Sequence, residues 1–77
     1  MREKDREKFV DLANKRVSKA MSSVRLIGNL SNRSNYHYTE EDVGKIFRAL
    51  NEEVSACKKR FELALKKQGN KTQFILE

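Results

Sequence analysis

The chain has no proline, only three glycines, a single cysteine and a single histidine among its 77 residues. Without proline nothing forces a break in a long helix, and few glycines leave few places where the backbone turns at low steric cost. One cysteine, Cys57, excludes an internal disulfide. One histidine, His37, lacks the second His or the Cys ligands that a zinc site uses, and with Glu40 and Glu41 it would hold a metal only weakly. No apolar run approaches the 18 or so residues of a membrane span, and the charged start MREKDREK is unlike a signal peptide, so a cytoplasmic protein with no membrane contact is expected. The triplets at Asn29, Asn32 and Asn70 would be glycosylation acceptors only in a secreted chain.

What is present is helix-forming material: 36% charged and 38% apolar residues with a net charge of +6. A chain this short buries only about 60% of its unfolded surface, so one domain at most is expected and self-association would relieve its marginal core.

Residues 39 to 69 show a start, a repeat and a stop. Thr39 with Asp42 three residues on has the spacing of a capping box, and Tyr38 and Val43 hold the two positions of a hydrophobic staple. Glu40, Glu41 and Asp42 suit the positive end of a helix dipole. Val43, Phe47, Leu50, Val54, Cys57, Phe61 and Ala64 then alternate at spacings of four and three, which draws one apolar seam along a helix. Lys66 and Lys67 fit the negative end, and Gly69 is the expected left-handed cap. Cys57 lies on this seam, where it reads as a small apolar group.

A second seam runs through Val10, Ala13, Val17, Ala20, Val24 and Ile27, with Asp11 and Lys15 placed for an i, i+4 ion pair and Gly28 and Asn29 as the expected stop. Residues 1 to 8 are either an extension of this helix or a solvated tail. Further apolar residues lie on one side of each seam: Phe9, Leu12, Leu26 and Leu30 on the first helix, and Ile46, Ala49, Ala56 and Leu63 on the second. Stripes this wide are the pattern of a bundle, not of a two-stranded coil.

The expected fold is therefore all-α: a single helical-hairpin domain with helix 4–28, polar loop 29–38, helix 39–68 and a tail 69–77. A connection of about ten residues makes the pair an antiparallel two-helix hairpin, and a second copy would complete a four-helix bundle as a homodimer. Residues 9–28 carry a net charge of +3, residues 40–53 carry −3 and residues 54–68 carry +4, so two hairpins meeting head to tail would set acidic against basic blocks. Phe74, Ile75 and Leu76 in the tail are expected to dock near Phe9, or to serve as a short recognition segment.

Chemistry has few places to sit. The connection GNLSNRSNYHY, residues 28 to 38, has a structural reading, because Asn and Ser bond their own backbone in turns, Leu30 can plug the core and Arg33 can face the acidic helix start. It also has a functional reading, in which Asn32, Arg33, Asn35, Tyr36 and His37 present donors and aromatic faces to a protein partner. The structural reading is favoured. A second candidate surface is basic: Arg16, Lys19, Lys58, Lys59, Arg60 and Lys67 would supply phosphate contacts to a nucleic acid. No aromatic residue interleaves with that run for stacking, and the connection is too long for a helix-turn-helix, so nucleic acid is not favoured. No Ser, His and Asp set, no glycine-rich phosphate loop and no facing carboxylate pair is present, since Glu40 with Glu41 and Glu52 with Glu53 are adjacent and diverge on a helix. An enzyme is not expected, nor any cofactor.

The run RLIGNLSNRSNYHYTEEDVGKIFRAL, residues 25 to 50, resembles segments of small uncharacterised bacterial proteins built as helical hairpins. The resemblance covers about residues 14 to 61, and its most specific parts are LIGNLSNRSNY and YTEEDV. It implies a small all-helical protein with this loop, and it transfers no activity and no site residue. The expected function is a non-enzymatic interaction or regulatory module, with a small basic nucleic-acid-binding protein as the alternative.

Overall fold

The computed structural model of the chain describes the backbone of residues 2–76 and the side chains of residues 3–67. Among the described residues it is all-helical, with α1 over Arg2–Asn29 and α2 over Glu40–Leu76, and no strand.

Helix α1 has 28 residues and so spans about 42 Å. It starts earlier than residue 4, because the alternating charges of residues 2 to 8 are good helix formers and nothing stops them; Glu3 and Asp5 also sit favourably in the first turn. Asp11 and Lys15 form the expected ion pair at 3.2 Å, and the Arg6 guanidinium lies 5.8 Å from the centre of the Phe9 ring. The helix closes differently from the expectation. Gly28 does not adopt the left-handed conformation, since no described residue has a positive φ. The last turn tightens instead: the N–H of Leu30 donates to the Ile27 carbonyl and that of Ser31 to the Gly28 carbonyl, each at 3.0 Å. These three-residue steps satisfy the orphaned carbonyls that a glycine cap would otherwise serve.

Helix α2 has 37 residues and spans about 55 Å. Its N-terminus is a reciprocal capping box. The Asp42 N–H donates to Thr39 Oγ1 at 3.1 Å while the Thr39 N–H donates to Asp42 Oδ2 at 3.0 Å. The first in-helix bond follows, from the Val43 N–H to the Thr39 carbonyl at 3.2 Å. Tyr38 and Val43, at the two staple positions, are both half-buried. The expected stop at residue 68 is corrected: α2 continues through Gly69 and Asn70 to Leu76. Glycine within a helix costs only about 1 kcal/mol relative to alanine, and no proline follows to prevent continuation. The expected docking of Phe74, Ile75 and Leu76 concerns side chains outside the described residues.

Each helix, taken by itself, keeps its apolar stripe open to solvent, and no described residue is fully buried. The least exposed positions on the two seams are Ala13 and Ile27 in α1 and Val43 and Leu50 in α2. No helix among the described residues is long and apolar enough to cross a membrane.

Candidate functional site

Two candidate surfaces came from the sequence, and the local structure treats them differently. In the connection, Asn32 organises a turn. Its carbonyl accepts from the N–H of Asn35 at 3.1 Å and of Tyr36 at 3.0 Å, and its side-chain Oδ1 accepts from the Ser34 N–H at 3.0 Å. The last contact is an Asx-turn, in which the side chain mimics a backbone carbonyl and bends the chain two residues on. Asn32 is thereby committed to shaping the loop, as the structural reading of this segment requires. Arg33 also has an interaction within the chain. Asn35, Tyr36 and His37 follow in sequence, and like Asn32 and Arg33 they are exposed.

The basic residues separate. On α2, Lys58, Lys59 and Arg60 are consecutive, and at about 100° per residue they leave the helix in three directions. Arg60 and Lys67 are seven residues apart and share one side; Lys59 instead shares a side with Arg48, and Glu52 stands between those two. On α1, Arg16 and Lys19 are three residues apart and share a side of that helix. All six candidate cations are exposed. Taken on α2 alone, the run is thus a set of small groups and not one dense patch, which weakens its match to a phosphate backbone.

One feature of α2 was not singled out from sequence. Arg48, Asn51, Glu52, Ser55, Ala56 and Lys59 line a shallow, open strip on the polar side of the helix. The signal was available, because these positions recur at three and four like the seam itself, and apolar periodicity alone does not look for polar faces. Within α2, Lys45 and Glu41 form an ion pair at 3.9 Å. Cys57 is exposed on the isolated helix. Among the described residues no three of His, Cys, Asp and Glu come together as a metal cage.

No family model, no curated protein and no solved structure matches this chain. The reading of its function therefore rests on its own residues. What they supply chemically is a well-capped, acidic helix start, exposed apolar stripes on both helices, and a loop whose backbone is held by its own polar side chains.

Proposed function

We propose that the protein is a non-enzymatic helical interaction or regulatory module that acts in the cytoplasm as a homodimer. In this reading α1 and α2 pack as an antiparallel hairpin and two hairpins join in a four-helix bundle. The observation that carries it is the exposed seam of α2, where Phe47 is 50%, Val54 66% and Phe61 54% accessible. Apolar side chains repeating over six turns are not maintained for solvent, and a helix of this kind gains most of its stability from packing that seam. One neighbouring helix covers the seam; the flanking Ile46, Ala49, Ala56 and Leu63 then call for another. The exposed Asn35, Tyr36 and His37 supply the surface through which a protein partner would be met.

Unfolding followed by circular dichroism at two protein concentrations a hundredfold apart tests the assembly. A dimer melts at a higher temperature in the more concentrated sample, because association stabilises the folded chains by mass action. Identical melting temperatures would contradict it.

The second reading, a small nucleic-acid-binding protein, draws on the net charge of +6 and on Arg60 and Lys67 sharing one side of α2. An electrophoretic shift that weakens steeply across a salt series would favour it, and no shift at low salt would remove it.

A further inference from the structure

The stripe of α2 that lies beside its seam is close to complementary to itself when turned end for end. Ala49, Glu53, Ala56, Arg60 and Leu63 follow one another at spacings of four, three, four and three, about 110° round the helix from the seam. All five are exposed, Leu63 at 64%, and neither Glu53 nor Arg60 makes an ion pair among the described residues. Turn a second copy of the helix end for end about an axis through Ala56, and each position meets one of complementary kind. Ala56 faces Ala56 of the second copy, which lets the backbones approach. The small Ala49 faces the large Leu63 of the second copy, and Glu53 lies within one residue's rise, about 1.5 Å along the axis, of its Arg60. The last two matches occur twice, by symmetry.

We infer that this stripe is the surface on which two copies of the chain pair, with the two α2 helices antiparallel and the two-fold axis at Ala56. The inference rests on the homodimer proposed above and adds its orientation and register. Charge decides the orientation: a parallel pair in the same register sets Glu53 against Glu53 and Arg60 against Arg60, whereas the antiparallel pair makes two attractive contacts. Size decides the register, because sliding by one turn brings Leu63 towards Ala56 and opens space at Ala49. Near the ends, Lys45 would stand closest to Lys67 of the second copy, and Lys45 already has Glu41 at 3.9 Å to offset its charge. The seam of Phe47, Leu50, Val54 and Phe61 remains available to α1.

Spin labels test the orientation on the full chain. With Cys57→Ala and Glu41→Cys, each chain carries one label, and pulsed dipolar spectroscopy reports the distance between copies. The antiparallel pair places the two labels 30 residues apart along the axis, a separation of about 45 Å. A parallel pair places them about 10 Å apart, the ordinary interaxial distance of packed helices, plus the reach of the labels. A distance below about 25 Å in a protein that scatters light as a dimer would overturn the inference and leave the homodimer standing; a monomer would remove the homodimer itself.

Charge exchange tests the register. Glu53→Lys replaces both attractive contacts with repulsive ones and should raise the dimer dissociation constant roughly 10-fold. Glu53→Lys combined with Arg60→Glu restores the attraction and should return it to within about twofold of the starting value. If Glu53→Lys leaves the constant unchanged, or the double exchange rescues nothing, the assigned register is wrong.

Discussion

The connection and the helix faces are opposites in how their groups are satisfied. In residues 30–39 nearly every interaction is short-range: Asn32 holds the turn with its carbonyl and its side chain, and Thr39 and Asp42 cap α2 by exchanging hydrogen bonds. The backbone of this segment is held by its own groups. On the helices the backbone is equally well bonded, but the apolar side chains of α1 and α2 remain open, with Val17 at 56%, Val24 at 50% and Val54 at 66%. The comparison teaches where the chain needs something outside each helix: at its stripes and not at its loop.

The largest test of that difference is Leu50→Ala. Leu50 sits on the α2 seam and is already half-buried. If packing completes its burial, the substitution should destabilise the protein by about 2 to 5 kcal/mol in chemical denaturation at fixed concentration. A loss well under 1 kcal/mol would mean that this stripe is not covered.

On the other side of the comparison, Thr39→Ala removes one half of the capping box. The expected cost is roughly 1 kcal/mol, with no change in molar mass, because a cap acts within its own helix. A change in assembly would show that the connection is less self-sufficient than its hydrogen bonds suggest.

Gly28→Ala should move in the opposite direction. The glycine has no positive φ, and an added Cβ meets nothing within 4 Å. Alanine should therefore stabilise α1 by about 0.5 to 1 kcal/mol. Destabilisation would restore the left-handed cap that the sequence suggested. The smallest effect belongs to His37→Ala, whose side chain is exposed: the change in stability should stay within about 0.5 kcal/mol, and a larger loss would place His37 in a contact.

Which parts of this were legible in the sequence follows from the range of the forces involved. The two helices, the pairing of Asp11 with Lys15 and the reciprocal bonds of Thr39 and Asp42 are local, within four residues, and spacing alone located them. The stop of α1 at Gly28 and Asn29 was legible but its left-handed cap was not what forms, and α2 runs past Gly69, for one reason: glycine permits a left-handed stop but does not impose one. In the connection, composition was compatible with both a turn and a binding loop. Only the geometry showed the Asn32 side chain bonded into the turn. The basic residues come from both helices, and on α2 the consecutive Lys58, Lys59 and Arg60 leave the helix in different directions, which charge counting alone does not register.

The central claim is that a second copy of the chain covers the apolar surface flanking the seams. Static light scattering across a range of concentrations measures this directly. The account predicts a molar mass twice the 9.0 kDa of one chain, falling only on strong dilution. A concentration-independent mass of one chain would contradict it.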